Sequence, residues 1–206
     1  MKITKYAHSC LLLEDQGKIV LIDPGSFSEG VLPVEKLTQM DYLLITHEHF
    51  DHFSLPLVKQ LVAKFPKIKI ITTNTIKDLL ANENISATTI GDEIVNVTPV
   101  PHESNVGYKS PQNIMVTVFG RLAHPGDSHT FSTNAEILAL PVVAPWGTTA
   151  RAVELAEELK PKIAIPIHDA IINDSERKEV YAFVGNELSA KGIDFKKIEN
   201  GQPIEV

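Results

Sequence analysis

The chain has 206 residues, of which 43% are hydrophobic and 22% charged, a balance that suits a globular domain with a substantial core and excludes disordered and fibrous classes. Twenty-six acidic against nineteen basic side chains give a formal charge of −7. That disfavours a nucleic-acid partner held on a basic face, because such binding needs Lys and Arg to neutralise phosphates.

The opening segment Met1-Lys2-Ile3-Thr4-Lys5-Tyr6 alternates polar and apolar side chains as a strand does, without the apolar core and cleavage site of a signal peptide. No apolar stretch reaches the roughly 20 residues that span a bilayer, so the expectation is a cytoplasmic protein with no membrane partner. Cys10 is the single cysteine, which leaves no internal disulfide and no cysteine-based zinc site. Residues 10–13 and 19–22 are apolar runs around Glu14-Asp15-Gln16-Gly17-Lys18, a hairpin signal, and Asp23-Pro24-Gly25 ends the second run. Residues 41–45 predict a buried strand that delivers the chain to His47.

Helical spacing begins after Ser54, a capping residue with Pro56 in the first turn and Leu57, Val58, Leu61, Val62 and Phe65 on one face. A strand over 68–72 and a helix over 74–81 follow. From 85 to 122 the pattern returns to strands, through Ile94, Val95 and Val97, then Ile114, Val116 and Val118, with a turn near Gly120. A strand over 137–143, a helix over 149–159, a strand over 163–167 and a helix over 175–190 complete the chain. Strands and helices mix in both halves, which predicts two sheets packed together with helices outside, in one domain over residues 1–206.

The run His47-x-His49-x-Asp51-His52 carries the chemistry. In an extended segment side chains at i and i+2 share a face, so His47 and His49 can grip one ion while the following turn brings Asp51 and His52 toward a second. Imidazole nitrogen and carboxylate oxygen are donors that zinc favours, with manganese and iron as competitors. A chance cluster of surface histidines is the bland alternative, but chance seldom places three of eight histidines within six positions beside a carboxylate.

Thr46-His47-Glu48-His49-Phe50-Asp51-His52 resembles the signature of the metallo-β-lactamase-fold superfamily, and further landmarks follow that family's order over nearly the whole chain. Asp23 in Ile22-Asp23-Pro24-Gly25 matches an early Asp that buttresses the metal loop. His102 in Pro99-Val100-Pro101-His102, Asp127 in Gly126-Asp127-Ser128 and His168 in Ile165-Pro166-Ile167-His168 match the remaining ligands. The resemblance implies a mixed α/β fold, a four-layer αββα sandwich. It also implies His47, His49 and His102 on one divalent ion, Asp51, His52 and His168 on a second, and Asp127 shared. Zinc is the first expectation for both ions, with Mn2+ or Fe2+ as alternatives. The short length, lack of large insertions and Pro-Ile-His ending are most similar to the small ascorbate-6-phosphate lactonase-like branch. Paired ions would acidify a shared water oriented by Asp51, for attack on an ester, lactone or phosphodiester of a small molecule.

Two alternatives stand for His124 and His129: a role behind the metal ligands or in proton donation, and the commoner structural role. For His8 the structural role is favoured more strongly. Loops 26–30, 102–113 and 144–149 are expected to line the cleft, with Tyr108, Lys109 and Trp146 as an anion-binding cation and stacking aromatics, or else as ordinary solvated loop residues. The competing function classes are an iron-dependent oxidoreductase or dioxygenase on the same fold and a non-catalytic metal-binding module. The diiron flavoprotein branch has Glu where His49 stands, and a structural zinc site needs only four ligands. A homo-oligomeric state is left open.

Overall fold

A computed structural model describes residues 1–104, 107 and 109–206. The chain divides into two compact units, Met1–Gly91 with Ile198–Val206, and Asp92–Lys197. Among the described residues each unit holds one six-stranded sheet and two α-helices. No helix among them is long and apolar enough to cross a membrane.

The first unit starts with β1 (Lys2–Lys5), β2 (Leu11–Asp15) and β3 (Lys18–Ile22), which pair antiparallel in sequence order. Gln16 and Gly17 join β2 to β3 with φ of 51° and 71°, the double left-handed turn whose twist matches a tight hairpin. Thereafter β4 (Tyr42–Leu44) and β5 (Lys69–Ile71) add in parallel. At the far edge β12 (Pro203–Glu205) returns antiparallel to β1. The parallel register sets Ile22 beside Leu44 and Leu44 beside Ile71, so the chain leaves these strands along one edge, where α/β sheets place their ligand sites. Helix α1 (Leu55–Lys64) is capped by the Ser54 hydroxyl, which accepts from Leu57 N, and α2 (Asn74–Asn82) by Thr73. Their buried faces, Leu57, Val58 and Leu61 on α1 and Ile76 and Leu80 on α2, join Leu12, Leu21, Leu43 and Ile45 in one core. Burying side chains of this size stabilises by about 1.5–3 kcal/mol each.

In the second unit β6 (Val95–Pro101) and β7 (Gln112–Val118) form a long antiparallel pair, and β8 (Leu122–His124) follows through the left-handed turn Phe119-Gly120. The neighbours β9 (Ile137–Pro141), β10 (Ile163–Ile167) and β11 (Asp194–Phe195) run parallel to β8. Helix α3 (Thr149–Leu159) is capped by Thr148 and ends at a left-handed Lys160. Helix α4 (Asp174–Ala190) starts with a capping box of Asn173 and Glu176. Ala152, Leu155 and Ala156 of α3 and Val184 and Leu188 of α4 pack with Leu138, Leu140 and Ala164 of the sheet.

The expected strands and helices are present, α3 and β10 with the bounds read from the sequence. Residues 85–94 differ: they hold one isolated bridge, Thr88 to Ile71, and the strand begins only at Val95. Ile85 is buried there while Ile90 is exposed, so the apolar residues of that stretch do not share a face.

Candidate metal centre

In the first unit the metal motif is assembled around Asp23. The β3–β4 register brings Asp23 N to Leu44 O at 2.9 Å, which places the wholly buried carboxylate beside the chain leaving β4. Its Oδ1 accepts from Thr46 N at 2.7 Å, and its Oδ2 accepts from Thr46 Oγ1 at 2.7 Å and from His52 Nδ1 at 2.7 Å. One carboxylate therefore fixes both ends of the motif, in the buttressing place expected of it. The 24–28 turn is locked against the same loop: Ser26 N donates to Phe50 O at 2.8 Å and Ser54 N to Pro24 O at 3.0 Å. Gly25 makes the approach feasible, since a Cβ there would lie 1.9 Å from Asp51 O.

His47, His49, Asp51 and His52 come together as expected. The His47 ring lies 4.8 Å from that of His49 and 4.1 Å from that of His52, centroid to centroid. His8 joins them, which the sequence reading did not favour. Its Nε2 sits 3.0 Å from Asp51 Oδ2, and ligand atoms of His8, Asp51 and His52 lie within 4.8 Å of one another. Ala7 and His8 are both left-handed, with φ of 67° and 50°, a corner between β1 and β2 that no spacing rule announces. Asp23 and His168 are left-handed too, with φ of 47° and 61°. Such residues cost about 1–3 kcal/mol each and persist where their surroundings over-determine them, often at functional sites.

In the second unit the expected ligands leave different strand ends. His102 follows β6, Asp127 lies three residues beyond β8, and His168 follows β10. His102 Nε2 and His168 Nε2 are 3.4 Å and 3.3 Å from one oxygen, Asp127 Oδ2. The loop carrying Asp127 is tied by Asp127 N donating to Asn113 Oδ1 at 3.4 Å, Asn113 Nδ2 to Pro125 O at 2.9 Å and Glu103 N to Asp127 O at 2.8 Å. Trp146 Nε1 donates to Asp127 Oδ2 at 2.8 Å.

Hydrogen bonding sets the tautomers. A carbonyl oxygen only accepts, so His102 Nδ1–H donates to Glu103 O at 2.6 Å and His168 Nδ1–H to Val143 O at 2.6 Å. His52 Nδ1–H donates to the Asp23 carboxylate. Thr46 Oγ1 gives its one proton to Asp23 and so accepts from His47 Nδ1–H at 3.0 Å. In the neutral form of all four imidazoles the lone pair is thereby on Nε2. This is how metal-ligating histidines are prepared, with Nδ1–H fixed by a carbonyl, hydroxyl or carboxylate. The separations fit as well: ligands at about 2.0–2.1 Å around a tetrahedral ion lie about 3.3 Å apart. The donor set and its geometry in each unit thus suit divalent metal ions.

His124, His129 and Lys109 belong to the second unit. His124 is buried and its Nδ1 accepts from Gly126 N at 3.3 Å, a structural role in the turn before Asp127. His129 Nε2–H donates to Pro141 O at 2.9 Å, its ring meets Trp146 edge-on at 5.0 Å, and burial pushes its pKa below the usual histidine value. Lys109 is exposed. Tyr108 lies outside the described residues.

Comparison with known proteins places the chain in a family. The family described as beta-lactamase superfamily domain matches residues 2–168. This chain belongs to the beta-lactamase superfamily. Within the superfamily's relatives, Protein Rv0786c of Mycobacterium tuberculosis is 30% identical over 197 residues, covering 88% of this chain and 90% of its own length. A UPF0173 metal-dependent hydrolase of Archaeoglobus fulgidus is 29% identical over 197 residues, covering 82% of this chain and 83% of its own. Among solved structures, Igni18, a metallo hydrolase from the hyperthermophilic archaeon Ignicoccus hospitalis, superposes with a TM-score of 0.70 at 20% identity, covering 100% of this chain and 98% of its own. That likeness is one of fold, and the mixed α/β class with two sheets is the one the superfamily shares.

Proposed function

We propose that this superfamily member is a binuclear metal-dependent hydrolase of a small molecule, with His47, His49 and His102 on one divalent ion, Asp51, His52 and His168 on the other, and Asp127 shared between them. The observation that carries this reading is the tautomer set: His47, His52, His102 and His168 all have Nδ1–H committed to an acceptor, which places the neutral ring's lone pair on Nε2. The relatives named as metal-dependent hydrolases support the same activity. Zinc is the metal this donor set favours.

When bound, such ions supply Lewis acidity, acidifying a shared water and polarising the electrophile. The chain's own residues do the rest. Asp51 is the proton acceptor we assign for the attacking water. His8 Nε2–H donates to its Oδ2 and holds the carboxyl in one orientation. Phe50, 67% exposed within the metal motif, has its ring 6.0 Å from that of Phe27, and Phe27 lies 4.9 Å from His8. This aromatic pair beside Asp51 suits the apolar part of an ester or lactone better than a bare phosphodiester. Size and the Pro-Ile-His ending favour the small lactonase-like branch.

Elemental analysis of protein purified without added metal, alongside a panel of lactones, esters and phosphodiesters, tests the reading. Two ions per chain and hydrolysis that Asp51→Asn and His52→Ala abolish are expected. Iron together with an oxygen-dependent reaction would replace this reading with the oxidoreductase one.

A further inference from the structure

Trp146 is the only tryptophan of the chain and stands half-buried in the wall of a cavity it shares with Glu103, His129 and Arg151. Its indole N–H points at Asp127 Oδ2, 2.8 Å away, the same oxygen that faces His102 Nε2 and His168 Nε2. The indole stands edge-on to three imidazoles, with centroids 5.0 Å from His129, 5.4 Å from His168 and 6.3 Å from His102. A carboxylate rotates over a broad torsional range, so its direction is set by the donors around it. Here a planar donor, held in a fixed place, selects the rotation in which Oδ2 lies between two imidazole nitrogens.

The indole is itself held. Residues 144–147 close on themselves through Gly147 N donating to Ala144 O at 3.3 Å. Gly147 rests on His129 so closely that a Cβ would come 3.0 Å from Cε1 and 3.1 Å from Nδ1. The His129 ring is anchored on Pro141 O at one end, while its backbone N–H donates to Glu103 Oε1 at 2.9 Å, an oxygen that also accepts from Thr130 Oγ1 at 2.8 Å. On the other side Thr148 caps α3. Glu103, His129 and Gly147 therefore brace Trp146, and Trp146 braces Asp127.

We propose that Trp146 is a positioning residue that orients the Asp127 carboxylate for metal binding, and that its indole emission reports occupancy of the metal centre. The inference rests on the metal-binding reading above and adds to it a residue outside the ligand set. Partners that hold a metal-ligating group contribute about 10–100-fold to metal affinity. An indole hydrogen-bonded to a carboxylate also feels that charge directly, so neutralising it with a cation changes the emission.

The test uses full-length protein stripped with a chelator and titrated with Zn2+. Binding is followed by competition with a chromophoric chelator and, separately, by tryptophan emission. For wild type, emission should change and saturate with binding. Trp146→Phe, which keeps a ring and removes the N–H, should keep its circular dichroism spectrum and bind Zn2+ about 10–100-fold more weakly. Wild-type affinity in a folded Trp146→Phe would overturn the proposal. If that variant does not fold, the wild-type emission decides, because Zn2+ binding with unchanged emission overturns it equally. Absence of Zn2+ binding by wild type would overturn the metal-binding reading itself, an outcome distinct from either of these.

Discussion

In the first unit one six-residue run leaving β4 brings four ligand-type side chains together, and a single buried carboxylate, Asp23, anchors both ends of it. In the second unit His102, Asp127 and His168 come from three separate strand ends, and each has its own anchor: Glu103 O for His102, Val143 O for His168, and Asn113 with Trp146 for Asp127. The difference is one of how precision is obtained. A contiguous motif concentrates it in one hub, whose loss releases everything at once. A dispersed set spreads it over several weaker bonds, each of which can fail alone.

The hub gives the largest expected effect. Asp23→Ala removes the acceptor of Thr46 N, Thr46 Oγ1 and His52 Nδ1 together, and each stranded buried donor costs about 1–3 kcal/mol. A stability loss of about 3 kcal/mol or more in urea denaturation is expected. A loss under about 1 kcal/mol would remove the distinction between hub and distributed anchoring. Gly25→Ala comes next. Its Cβ would lie 1.9 Å from Asp51 O, so the 24–28 turn must move off the motif, at a cost of about 1–3 kcal/mol in thermal unfolding and with weakened ion binding.

Distributed anchoring predicts smaller losses in the second unit. Asn113→Ala gives up its bonds to Asp127 N and Pro125 O and should cost about 1–2 kcal/mol by the same denaturation, less than Asp23→Ala. Lys109→Ala, at an exposed position, should change stability by no more than about 0.5 kcal/mol. A loss of substrate affinity with metal content intact is the outcome expected of the anion-binding role for Lys109.

Cys10 probes the first unit by itself. Burial pushes its thiol up to about 12, from an ordinary value of 9.0, so at pH 8 the native thiol is protonated and enclosed. A thiol reagent should label it only as the first unit unfolds. Because the unfolded thiol ionises before the native one, this group's contribution to stability is fully present below about pH 9 and is lost as pH rises toward 12. Rapid labelling of the native protein at pH 8 would contradict the burial on which this rests.

The same contrast explains what could be read without a structure. The His47–His52 motif was legible because its ligand-type side chains are adjacent, and α3 and β10 because apolar spacing and capping residues agree at both ends. His102, Asp127 and His168 were legible only through their order along the chain. His8 was not, since its place beside Asp51 depends on two consecutive left-handed residues that any sequence pattern would read as a plain strand connection. Trp146 reads from the sequence as an aromatic in a loop, but what it does depends on where its N–H points. The strands β8, β11 and β12, of three, two and three residues, are too short to carry a period; neighbouring strands define them.

The proposed function requires that the chain hold two divalent ions on which hydrolysis depends. Equilibrium dialysis of chelator-stripped protein against Zn2+, with the bound ions counted per chain and ester or lactone hydrolysis assayed on the same samples, tests it most directly. The account predicts two ions per chain and activity that appears only as they bind. Fewer than two ions at saturation, or hydrolysis that survives in the stripped protein, would contradict it.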